Sequence, residues 1–179
     1  MNNLTLTSQG KMVTGLFNDR ASAERAYESL HSRGYGRDDV NLVMSDDTRK
    51  AHFGTTEGAK TELGSKAAEG AGVGGAIGGT VGAIVAAIAA VGNTIAIPGL
   101  GLLIAGPLAA AIAGAGAGGA AGGLVGALVG WGIPEERVQR YEAGIKNGGI
   151  LMGVRSRSDD DATFFAEDWK KNRAADVYA

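Results

Sequence analysis

From Gly70 to Pro134 the chain runs 65 residues without an aspartate, glutamate, lysine, arginine or histidine. A run of that length cannot serve as ordinary wet surface, so it must be covered by lipid, by the rest of the protein or by further copies. All 17 basic and 19 acidic residues lie in the two flanks. The net charge of −2 and the 6% aromatic content argue against a nucleic-acid partner. With no cysteine, disulfides and thiolate metal sites are excluded. The opening MNNLTLTSQGK lacks a basic start followed by an apolar run, so no export signal is expected.

The flanks read as ordinary α+β protein. KMVTGLF (Lys11–Phe17) is short, apolar and rich in β-formers, predicting a strand. Asn18 or Asp19 can cap a helix carrying Ala23, Ala26, Tyr27 and Leu30 at i, i+3, i+4 and i+7, and Gly34 stops it. Val40, Leu42 and Met44 alternate with Asn41, Val43 and Ser45, predicting a second strand with one better-buried face. Beyond the uncharged run, Pro134 suits a first helical position, and Glu135 and Glu136 favour its positive end. Val138, Tyr141 and Ile145 supply the stripe of that helix, and Asn147–Gly149 ends it. ILMGV (Ile150–Val154) reads as a strand buried on both sides. A last helix, roughly Asp160 to Arg173, presents Phe165 and Trp169 at i, i+4.

Each half is too small for a core of its own, because units below about 40 residues usually need outside help. Together they predict a small ferredoxin-like split sandwich. Residues 1–66 supply strand–helix–strand and a polar linker, and residues 133–179 supply helix–strand–helix. Residues 67–132 interrupt them as a long glycine-zipper α-helical hairpin. Two independent mini-domains are the alternative.

Three readings compete for the hairpin. Gly70-x-Gly72-x-x-Gly75 and Gly114-x-Gly116-x-x-Gly119 match the dinucleotide fingerprint, but neither has the strand before it or the acidic residue about 20 positions after it. A flexible linker would be Ser-rich, whereas here Ala, Val, Ile and Leu accompany the glycines. A helix fits best. Gly70, Gly74, Gly78 and Gly82 recur every fourth residue, as do Gly114, Gly118, Gly122, Gly126 and Gly130, placing small residues on one helix face for close packing. Each helical glycine costs about 0.8–1 kcal/mol relative to alanine, so such helices must be buried.

Ala68–Val91 would span about 36 Å as a helix against a hydrocarbon core of about 30 Å. Pro107 would start a second helix running to about Gly130, with Gly92–Gly106 as the broken link between them. Lys60, Lys66, Arg137 and Arg140 on the domain side would make that side cytoplasmic. The leading expectation is an inner-membrane hairpin with the α+β domain in the cytoplasm and a lipid bilayer as partner. The alternative is a cytoplasmic assembly whose hairpins bury one another. Both imply a homo-oligomer. A pore is disfavoured, because Thr80, Asn93 and Thr94 are the few polar side chains available to a lumen.

The segments VTGLFNDRASAERAYESLHSRGYGRDDVNLVMS and GIPEERVQRYEAGIKNGGILMGV resemble bacterial general stress proteins with a heat-induced stress-protein (17M-like) domain. They span roughly a third of the chain. The resemblance implies a stress-associated bacterial protein with a cytoplasmic α+β domain and transfers no catalytic residues.

No catalytic constellation emerges, and neither an enzyme, a cofactor nor a small-molecule substrate is expected. His31 and His52 read as surface residues. Asp159, Asp160 and Asp161 read as a solvated helix cap, and Asp46 and Asp47 likewise. Ser8, Ser45 and Ser65 have no base nearby in sequence, and Tyr27, Tyr141, Phe165 and Trp169 are expected to pack the domain.

Overall fold

The computed structural model describes residues 10–53, 94–97, 101–114, 125–126, 128–129 and 132–179. Six antiparallel strands form one sheet in the order β3-β4-β2-β5-β1-β6. They are β1 (Met12–Phe17), β2 (Val40–Ser45), β3 (Thr94–Ile97), β4 (Leu102–Ala105), β5 (Ile150–Arg155) and β6 (Ala174–Tyr178). The helices are α1 (Arg20–Ser32), α2 (Asp46–Phe53), α3 (Pro107–Gly114), α4 (Glu135–Lys146) and α5 (Asp159–Lys171).

The two flanks do build one sheet. β1 and β5 pair residue by residue from Met12↔Arg155 to Phe17↔Ile150, and β5 continues onto β2 from Val40↔Val154 to Met44↔Ile150. This intimate pairing rules out two independent mini-domains.

Because side chains alternate across a strand, the register sets up rows that cross the sheet. Val13, Val154 and Val40 share a row, as do Phe17, Ile150, Met44 and Leu103; these lie in the core under α1 and α5. Leu16, Leu151, Val43 and Ile104 form a row on the opposite face, under α3 and α4. The sheet therefore sits between two helical layers, one of the few ways to bury both its faces. β2 is buried on both faces rather than having one better-buried face, because helices cover each side.

Local chemistry accounts for the helices. Asp19 is the α1 cap, accepting from the Ser22 backbone N–H at 2.8 Å and from the Ser22 hydroxyl at 2.8 Å. The backbone N–H holds its carboxyl below the ordinary aspartate value. Gly34 stops α1 in the left-handed conformation. Pro134 is the residue before α4, one position earlier than expected. In α5 the cap is Ser158, whose hydroxyl accepts from the Asp161 N–H at 3.1 Å. α2 falls in the expected polar linker: the Ser45 hydroxyl accepts from the Thr48 N–H at 3.0 Å, and Asp46 and Asp47 occupy the first turn.

The link Gly92–Gly106 is corrected. Instead of the distal tip of a hairpin, its described residues include β3 and β4, which pair with each other, and β4 pairs with β2 from Leu42↔Ala105 to Ser45↔Leu102. The aliphatic residues of β4 hydrogen-bond to the edge of β2 and are buried on both faces, which satisfies the backbone without lipid. Pro107 does begin a helix, as expected, and Gly114 is the last residue described of it. The proposed first helix, Ala68–Val91, lies outside the described residues. Among the described residues, no helix is long and apolar enough to cross a membrane.

Candidate interaction surface

The uncharged run meets the domain on the α3/α4 face. Leu108, Ala109 and Ile112 of α3 pack with Leu128 and Ile133 over Leu16, Val43, Ile104 and Leu151, while Val138, Tyr141 and Ile145 complete the layer from α4. The row Thr14–Gly153–Asn41 is polar where its neighbours are apolar, and each polar group finds a partner. The Thr14 hydroxyl lies 2.8 Å from the Tyr141 hydroxyl, with both residues fully buried, and burial pushes the Tyr141 phenol up.

Asn41 seats α3. Its Oδ1 accepts from the Leu108 backbone N–H at 2.7 Å, serving an N-terminal amide that the helix itself cannot pair. Its Nδ2 donates to the Gly153 carbonyl at 3.4 Å. The chain reaches this position through Gly106, which holds φ +100° and where a Cβ would overlap the Val40 carbonyl oxygen. A shallow cleft of about 230 Å³ opens beside this seat, lined by Met12, Asp38, Asp39, Asn41, Pro107 and Arg155. It falls below the roughly 300–1,000 Å³ of small-molecule sites.

Ala110 and Ala111 of α3 face outward, as do Val125 and Val129, which are 36% and 45% exposed. Gly126 is exposed, and a Cβ built on it would meet nothing within 4 Å, so no helix of this chain among the described residues presses on it. Of the other glycines expected to carry helix contacts, Gly114 ends α3. Gly70, Gly74, Gly78, Gly82, Gly118, Gly122 and Gly130 lie outside the described residues.

Several polar residues singled out in the sequence make contacts that hold elements together. Tyr35 donates to Asp161 at 2.7 Å and accepts from the Arg157 backbone N–H at 2.7 Å, while Arg33 donates to Asp161 at 2.6 Å. Arg157 closes the cluster on Asp39 at 2.9 Å. Asp161 thus fastens the α1–β2 turn to the start of α5 instead of being a solvated cap residue. Asp159 pairs with Lys11 at 3.4 Å. Asp46 pairs with Arg49 and Lys50 at 2.9 and 2.6 Å. His31 and His52 are exposed, and no three His, Asp or Glu side chains converge as metal ligands among the described residues. Ser8 and Ser65 lie outside the described residues. Tyr27, Tyr141, Phe165 and Trp169 pack the core.

The Tyr35 hydroxyl, aided by Arg33 and Ser158, holds the Asp161 carboxyl below its ordinary value. A carboxyl depressed on folding stabilises the protein above its unfolded value of about 3.9 and loses that contribution as pH falls through its folded value. Asp161→Asn should therefore lower stability at neutral pH and lose less between about pH 5 and pH 2 than the natural chain. Urea midpoints across that window would show it; equal losses in both proteins would contradict the assignment.

No family model, curated protein or solved structure matches the chain.

Proposed function

We propose that the chain is a non-enzymatic bacterial stress-response protein that acts by self-association of its glycine-rich segments. In this reading a ferredoxin-like domain in the cytoplasm organises the assembly. The observation that carries it is the pairing of β4 with β2. Both ends of the segment between Phe53 and Thr94 belong to one domain, since α2 follows β2 directly and β3 is two strands from β2. A single bilayer crossing by Ala68–Val91 would leave its end on the far side from α2. Glu57, Lys60, Glu62 and Lys66 would then have to return through the hydrocarbon, at about 2.5–3.5 kcal/mol for each charge near its centre. Burial against further copies covers the glycines and the outward-facing Val125 and Val129 without that cost.

The order β2-β5-β1-β6, with α1 and α5 packed on one face, supports the ferredoxin-like description. The β3–β4 hairpin, α3 and α4 are additions to it. The stress association comes from the resemblance of the two flanking segments. Self is the partner; nucleic acid, a small-molecule substrate and a cofactor have no part.

Sedimentation of the full chain, with and without vesicles of phosphatidylethanolamine and phosphatidylglycerol, tests the reading. The natural chain should form a large particle without lipid, and Gly78→Leu/Gly122→Leu should reduce its size. A monomer that floats with the vesicles would restore the inner-membrane reading, and a monomer without lipid affinity would overturn self-association altogether.

A further inference from the structure

β6 is lightly secured to the sheet. None of its five residues is buried, whereas β1 beside it is buried throughout. It joins α5 through Asn172 and Arg173, and Arg173 holds φ +65°, a left-handed conformation that strains a residue with a side chain. Against β1 it slips register: Ala174 stands opposite Phe17 and Asp176 opposite Leu16, with Ala175 the extra residue between them. Segments with little buried apolar surface open locally before the rest of a fold.

One side chain from another element holds the strand beyond the bulge. Asp176 and Tyr178 oppose Leu16 and Thr14 and so share the α4 face, and Arg137 in the first turn of α4 takes both. Its guanidinium pairs with Asp176, donates to the Val177 carbonyl at 3.4 Å and covers the Tyr178 ring at 5.0 Å. Arg140, one turn on, lies 3.6 Å from Asp176. The Arg137 and Asp176 side chains are 21% and 18% exposed, so solvent screens the pair only in part.

The same turn of α4 is where the uncharged run ends. The Gly132 and Ile133 N–H groups donate to the Val129 and Leu128 carbonyls at 2.9 and 3.1 Å, and the Arg137 N–H donates to the Pro134 carbonyl at 2.9 Å. Leu128 and Ile133 are buried in the layer over the sheet. A short, hydrogen-bonded path therefore runs from the docked end of the run to Arg137.

We propose that β6 is a strap over the edge of β1 and that Arg137 is its clasp, closed while the end of the uncharged run is docked. Drawing Leu128 and Ile133 out of their layer displaces the first turn of α4 and takes Arg137 away from Asp176, Val177 and Tyr178. β6 then swings about Arg173 and bares the backbone donors and acceptors along the β1 edge. This coupling holds whatever covers the glycine-rich segments.

Hydrogen exchange of the full chain, read by mass spectrometry on peptides covering β5 and β6, tests it. Arg137→Met keeps the aliphatic length and removes the donors. It should speed exchange of β6 about tenfold, because hydrogen bonds to charged groups are among the stronger ones, and leave β5 unchanged. Leu128→Ala and Ile133→Ala, which loosen the docked run, should each speed β6 as well. Added to Arg137→Met, neither should speed it further, since the clasp they act through is already gone. Exchange of β6 that rises only in step with β5 in every variant overturns the strap. A fast β6 in Arg137→Met with natural rates in both Leu128→Ala and Ile133→Ala overturns its coupling to the run, as do additive effects in the double variants.

Discussion

Gly106→Val is expected to unseat α3 and strain the β3–β4 hairpin, lowering stability by about 3 kcal/mol or more. Two costs combine at this position. A left-handed φ of +100° disfavours any side chain, by about 1–2 kcal/mol, and more for a β-branched one. The added Cβ would also overlap the Val40 carbonyl oxygen and lie 3.1 Å from the Asn41 α-carbon. Val40 and Asn41 begin β2 and are held to β5 opposite Val154 and Gly153, so the displacement falls on the β4–α3 junction. The Asn41–Leu108 hydrogen bond at 2.7 Å is then lost, and the buried amide side chain of Asn41 loses a partner. Gly101→Ala provides the comparison. It has φ +59° but open space around it, so it should cost only about 1–2 kcal/mol. Urea denaturation separates the two; equal losses would mean that α3 is not docked where Asn41 holds it.

Trp169→Ala is the other large expected loss, about 3–5 kcal/mol in the same assay. The indole is fully buried, edge-on to Phe17 at 5.8 Å and stacked with Phe165 at 6.3 Å. It fits because β1 carries glycine beneath it: a Cβ on Gly15 would stand 2.7 Å from the indole Cε3. Alanine leaves a cavity that a six-stranded sheet and a capped helix cannot collapse to fill. Trp169→Phe should cost clearly less. It keeps a ring in the gap and removes an indole N–H that has no hydrogen-bond partner among the described residues, a group costly to bury. Equal losses for the two substitutions would contradict this account of the packing.

The flanks were legible because their signals are local. Asp19 three residues before Ser22, Gly34 after α1, and Val138, Tyr141 and Ile145 at helical spacing each determine an element without help from distant residues. β6 was not legible: AADVY has weak strand character, and β1, more than 150 residues away, makes it a strand. α2 did carry a signal, a Ser45 cap followed by two acidic residues, obscured by its polar surroundings. The hairpin was legible in principle. TIAI and LLIA flank Pro-Gly-Leu-Gly, a turn between two aliphatic runs, yet the glycine periodicity on either side drew the whole stretch into a helical reading. The seat of α3 was hidden, since an asparagine within a strand does not reveal that its carboxamide caps a helix 67 residues later.

The centre of the uncharged run is a strand bonded to β2. Paired cysteines placed across that junction test it most directly. Val43 opposes Ile104 and Leu42 opposes Ala105, and adjacent antiparallel pairs alternate between about 4.5 and 5.5 Å in α-carbon separation, both within reach of a disulfide. Val43→Cys/Ile104→Cys and Leu42→Cys/Ala105→Cys should each close an intramolecular bond in a chain that otherwise has no thiol. If neither pair closes in the folded protein, while both thiols react freely with a small alkylating reagent, β4 is not part of this sheet.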